Sequence, residues 1–172
     1  MKRIQFKISS SNVELFETKP NQKLSADFLD NLRNRFSQLT IQAISSKYVL
    51  GKSHAKKIIS VSKMAEKNNT LLSKKLETDI LLRFAGTTQI LDALKLVGIE
   101  PSSSFIVFAI GNKKSLDKLY RDLKPILNPK PLSKNNQGFL KKKFNITKKQ
   151  LDSIVSESPI EDLLLEKAAT LF

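Results

Sequence analysis

The stretch Leu81–Ile99, LLRFAGTTQILDALKLVGI, limits the fold more than any other part of the chain. An apolar run stops at Gly86, the polar residues Thr87, Thr88 and Gln89 follow, and a short amphipathic segment ends at Gly98. Asp79 to Ala85 reads as a buried strand, although periodicity alone does not separate a fully buried strand from a buried helix. Thr87 or Thr88 can cap the helix that runs to Val97, and Gly98 can take the left-handed conformation that stops it. Phe105 to Ile110 is a second apolar run rich in β-branched residues, expected to lie centrally and parallel to the first. The pair predicts one βαβ unit with a right-handed crossover.

Around that unit the periodicities are regular. Ile4, Phe6 and Ile8 alternate with polar residues, as do Val13, Leu15 and Glu17, which predicts a hairpin turning at Ser9–Asn12. Ser25 can cap a helix with Phe28, Leu29, Leu32, Phe36 and Leu39 on one side, and Thr40 to Ile44 is β-like. A helix capped by Ser53 and ending near Asn68 puts Ala55, Ile58, Ile59, Ser62 and Ala65 inward, with its lysines largely outward. Leu116, Leu119, Tyr120 and Leu123 mark another helix, stopped at Pro125. Thr147 with Gln150 forms a capping box for a short helix through Val155. Ser158-Pro159-Ile160-Glu161 offers a cap, a first-turn proline and a glutamate three residues on. The expectation is a single-domain α/β fold over residues 1–172, with a mixed sheet, one βαβ unit and flanking helices.

Charge narrows the partner. Thirty Lys and Arg against sixteen Asp and Glu give a net +14. Lys113 to Lys149 holds twelve basic and two acidic residues, whereas Gln150 to Phe172 holds one basic and five acidic. Such segregation favours a polyanionic partner over a merely solubilising surface. With no cysteine, disulfides, thiolate metal sites and a cysteine nucleophile are excluded. No apolar run reaches the ~18 residues of a membrane span, and MKRIQFKISS lacks a signal-peptide core, so the expected location is the cytoplasm.

Catalytic chemistry has little to rest on. Gly51-Lys52-Ser53 looks like the end of a P-loop, but Ser46 stands where the first glycine is needed. His54 is the only histidine, which rules out multi-histidine metal sites and reads as structural or capping on local signals. No metal, cofactor or enzymatic activity is expected. Two basic stretches can track phosphates: Lys52, Lys56, Lys57, Lys63, Lys67, Lys74 and Lys75, and the segment Lys130–Lys149 with Phe139 and Phe144. The last helix carries Ile160, Leu164, Ala168 and Leu171 as a stripe that Leu163, Leu165 and Phe172 widen, which points to burial on two sides.

Two blocks resemble a known family. Ser53-His54, the helix Lys56–Ala65, Glu77–Leu82, Gly86-Thr87-Thr88-Gln89-Ile90 and Val97-Gly98-Ile99 follow one another as in the small regulatory subunit of the KEOPS (EKC) complex, the PRPK-binding or TPRKB family, in its archaeal form. Leu165–Leu171 is similar to the L-E-R-x-A-L-L that closes its members. The resemblance implies a non-catalytic partner of a small atypical Bud-type kinase, within the assembly that installs threonylcarbamoyl on tRNA adenosine. It also implies a grip on the single-stranded CCA end of tRNA. On that basis His54, Lys56, Lys57, Lys63, Arg83, Thr87 and Thr88 are the RNA-side candidates, and Ile160, Leu164, Leu171 and Phe172 the kinase-side ones. The family often has arginine where this chain has Thr88, so Arg83 or a nearby lysine would take over its contact. A freestanding basic RNA-binding module, such as a ribosomal or ribosome-assembly factor, is the alternative reading.

Overall fold

The structure, a computed structural model, describes residues 2–171. Strands β1 (Ile4–Ile8), β2 (Ser11–Glu17), β3 (Thr40–Ser45) and β4 (Phe105–Gly111) form one sheet in the order β1-β2-β4-β3. The helices are α1 (Phe28–Arg35), α2 (Lys52–Lys67), α3 (Leu76–Ala85), α4 (Ile90–Val97), α5 (Lys113–Leu123), α6 (Gln137–Lys143), α7 (Lys148–Asp152) and α8 (Pro159–Ala169). The single-domain α/β class is therefore as the sequence predicts. The β1–β2 hairpin forms with Phe6 opposite Val13, and β4 lies inside the sheet.

β4 reads as a continuous apolar run because both its faces are covered. Ile106, Phe108 and Ile110 join Val13, Leu15 and Ile44 in a core shared with residues of α2, α3, α4 and α8. Phe105, Val107 and Ala109 join Phe16, Ile41 and Ala43 in a second core, completed by Leu32 of α1 and Leu116 and Leu119 of α5.

The βαβ unit and the mixed sheet are not present. β4 is antiparallel to both β2 and β3, so every strand pairing is antiparallel among the described residues. The segment read as a strand at Asp79–Ala85 is α3, a helix buried from Asp79 through Ala85. A helix with no exposed side over that span shows no 3.6-residue alternation, which is why its pattern mimics a strand. Two local signals identify it in retrospect: Glu77 and Asp79 in the first turn, and Gly86 at its end with φ 68° and ψ 31°. That left-handed stop sits at Gly86, whereas Gly98 is extended.

Cap positions shift as well. Asp27, Gly51 and Gln89 occupy the N-caps of α1, α2 and α4, in place of Ser25, Ser53 and Thr87 or Thr88. Ser158 precedes α8 but its side chain makes no capping bond. The Thr147–Gln150 capping box is present, although α7 ends at Asp152.

α3 is fixed by a charged pair inside the core. Arg83 Nε donates to Asp79 Oδ2 at 2.7 Å and Nη2 to Oδ1 at 3.3 Å, with both side chains almost fully buried. Asp79 Oδ1 also accepts from the Leu72 amide at 2.8 Å, and Arg83 Nη1 donates to the Ala168 carbonyl at 2.7 Å. The network ties the segment before α3 and the end of α8 to one helix turn. Removing one partner strands a buried charge, at a cost of about 3–5 kcal/mol. Arg83→Met should lose stability of that order in urea titration, and Asp79→Leu with Arg83→Met should lose less than the two single losses added.

Candidate nucleic-acid and protein interfaces

The RNA-side candidates separate into an interior group and a surface group. His54 is 3% exposed. Its Nδ1 accepts the Leu50 amide at 3.1 Å, and its ring meets Phe84 edge-on at 5.4 Å. Burial pushes its pKa from 6.5 down to about 4, so the ring is neutral near pH 7. Arg83 has its guanidinium on Asp79 and Ala168. The cavity that His54, Arg83 and Gly86 share holds about 10 Å³, room for no more than one water. Neither side chain is placed to meet RNA, and both are corrected to structural roles.

Lys57 faces α8. Its ammonium contacts Glu161 Oε1 at 2.7 Å and Asp162 Oδ1 at 3.3 Å, and Ser53 Oγ donates to the same Glu161 oxygen at 2.7 Å. Burial alone would raise the Glu161 carboxyl, but the Lys57 and Ser53 bonds outweigh it and hold it below the ordinary value. The bond to Glu161 in turn raises Lys57. Glu161 therefore serves as the acceptor that joins α8 to α2, in place of reaching back to its own N-cap. Lys57 thus joins α2 to α8 while its side chain stays 40% exposed.

Lys56 and Lys63 remain on the surface. They line a groove of about 530 Å³ between α2 and the β1–β2 hairpin turn, together with Lys7 and Lys67. Thr87 and Thr88 lie half-buried on the turn before α4, where Thr87 Oγ1 accepts the Gln89 amide at 3.2 Å. That bond orders the turn locally and leaves the threonines apart from the groove lining.

The kinase-side candidates are also redistributed. Ile160 and Leu164 are buried in the core where α8 packs on α2 and α3, and so offer no outer face. Leu171 is half-buried, and Phe172 lies outside the described residues. The leucine-rich character of α8 comes from its seat on two helices.

An apolar surface instead lies on α4. Ala93 and Val97 are fully buried, while Ile90, Leu91 and Leu94 are 46%, 72% and 50% exposed. Positions 90, 91 and 94 share one side of a helix, so the three form a stripe that flanks the buried pair. Ile99, beyond the helix end, is exposed and lines an apolar groove of about 800 Å³ with Leu24, Phe28, Leu29 and Phe105. Sequence reading missed this surface, although ILDALKLV carries more apolar residues than one buried face uses.

A lysine-lined groove and an uncovered apolar helix face are the equipment of a protein that binds other macromolecules. The chain matches the family model of kinase binding protein CGI-121 over residues 20–170 and belongs to that family. No curated protein matches the chain at a significant level.

The buried neutral His54 gives a pH signature. The unfolded chain takes up the histidine proton near pH 6.5 while the folded chain does not until about pH 4. Folding stability should therefore be full above pH 6.5 and fall as the pH drops, by about 2 kcal/mol between pH 6.5 and 5. Urea midpoints at a series of pH values should show this slope in the native chain and lose it in His54→Gln.

Proposed function

We propose that this chain is a non-catalytic subunit that docks on a small Bud-type atypical kinase and brings tRNA to it by the CCA end, within the KEOPS assembly in the cytoplasm. Family membership supports the kinase half, and the observation that carries it to particular residues is the exposed stripe Ile90, Leu91 and Leu94. Contiguous apolar surface of this kind, rimmed by Asp92 and Lys95, fits a protein interface. The tRNA half is supported by the net +14 and by Lys56 and Lys63 beside the hairpin, with Thr87 and Thr88 as contacts for the terminal nucleotides.

Leu91→Asp with Leu94→Asp should weaken kinase binding at least tenfold in calorimetric titration while leaving the melting temperature of the free protein unchanged. Binding at wild-type strength would move the interface off α4. For the RNA half, labelled tRNA lacking CCA should bind at least tenfold more weakly than intact tRNA; equal binding would leave a generic basic surface and favour the freestanding RNA-binding module.

A further inference from the structure

The groove between α2 and the hairpin has a chemistry that neither element shows alone. Lys56, Lys63 and Lys67 lie seven and four residues apart on α2, which places them along one side of the helix. Lys7, the last exposed residue of β1 before the turn, faces them from the opposite wall, and Ser9 and Ser10 add exposed hydroxyls. Glu66 is the single carboxylate in the lining, and it is held by Lys63 at 2.5 Å. Among the described residues Lys7, Lys56 and Lys67 make no ion pair. On the opposite side of the sheet Arg35 is paired with Asp122, and Arg3 with Glu14 and Asp117, while Lys113 and Lys114, unpaired among the described residues, lie on α5 away from this groove.

Met64 also lines the groove and is 60% exposed. An outward methionine amid four lysines has no role in the core below it. A flexible thioether beside a row of cations suits one kind of ligand: a chain whose charges sit on its backbone and whose flat aromatic groups are free to turn outward. A duplex keeps its bases stacked away from such a wall, and an anionic membrane is too flat to enter a concave channel.

We propose that this groove binds a single-stranded RNA backbone, with Lys7, Lys56, Lys63 and Lys67 on successive phosphates and one base lying against Met64. The proposal deepens the RNA half of the reading above and rests on it. It assigns a site to the β1–β2 hairpin, which lies outside the residues matched by the family model.

The test is fluorescence anisotropy with a labelled 12-nucleotide oligouridylate, its duplex counterpart and intact or CCA-less tRNA, at several salt concentrations. Lys7→Glu with Lys67→Glu should weaken single-strand binding at least tenfold and flatten the log–log salt slope by about 1.4, two phosphates' worth on a single strand. Met64→Ala should weaken it a few-fold at unchanged slope. Lys113→Glu with Lys114→Glu, on exposed positions of α5, should stay within twofold of wild type. All the changed side chains but Met64 are exposed lysines, and Lys7→Gln with Lys67→Gln gives the same direction with a gentler change. The proposal is overturned if the Lys7/Lys67 variants bind within twofold of wild type, if the α5 variant loses as much, if the duplex competes equally well, or if no single strand binds. CCA-dependent tRNA binding that survives the groove variants would sink the groove and leave the recruiting reading standing. Groove-dependent oligouridylate binding with no effect of CCA removal would do the reverse.

Discussion

The pair Asp79–Arg83 is the constraint on which the arrangement around α3 depends. A carboxylate and a guanidinium withdrawn from water are tolerated only when their hydrogen bonds are made. Here the bonds extend to the Leu72 amide and the Ala168 carbonyl as well as to each other. The i,i+4 spacing that joins the two side chains exists on a helix, whereas on a strand it would put them more than 12 Å apart along the chain, by about 3.3 Å per residue. The pair thus selects helix for a segment whose apolar pattern is neutral on the matter. Through Ala168 it also fixes where α8 ends, and α8 in turn closes the core over α2.

The same logic reaches the start of α8. Glu161 is drawn to Lys57 and Ser53 on α2, so the acidic first turn of α8 faces the basic start of α2 across a short polar seam. Below that seam His54 stays neutral and buried, its Nδ1 accepting the Leu50 amide. Residues that look like exposed chemistry in sequence are therefore the joinery between two helices. A charged side chain is free for an outside ligand only if no partner holds it, and here the partners Glu161 and Asp162 lie more than a hundred residues later.

That distance decides what was legible. β1, α2 with its inward side Ala55, Ile58, Ile59, Ser62 and Ala65, and α5 were readable because each buries one face and leaves the other wet. The α3 segment was not, because burial on all sides erases the period. Among the candidate residues, Lys56 has no carboxylate at hand and Lys63 only its helix neighbour Glu66, and both kept their place on the groove. His54 and Arg83 did not, since the packing of His54 on Phe84 and the bond of Arg83 to Ala168 are set by tertiary contacts, and Lys57 is paired with Glu161 of α8. Ile160 and Leu164 reversed for a related reason: an apolar stripe states that a face is covered, without stating by what. The groove carrying Lys7 was invisible for want of any local signal that sets a hairpin turn beside a helix fifty residues on.

The exposed side of α4 calls for a partner more strongly than its area alone implies. An eight-residue helix is too short to persist in water by itself, so α4 holds its shape through Ala93 and Val97 against the core. That anchoring would work equally well with polar residues at positions 90, 91 and 94, which contribute little to the core from their outward side. Three aliphatic side chains kept there hydrate unfavourably in the free protein, and the cost is recovered only when something covers them. Meanwhile Lys7, Lys56 and Lys67 line the α2 groove without an ion pair among the described residues, so an anionic ligand would relieve their mutual repulsion. Both surfaces are left in a higher-energy state that binding would resolve, one by burial and the other by neutralisation.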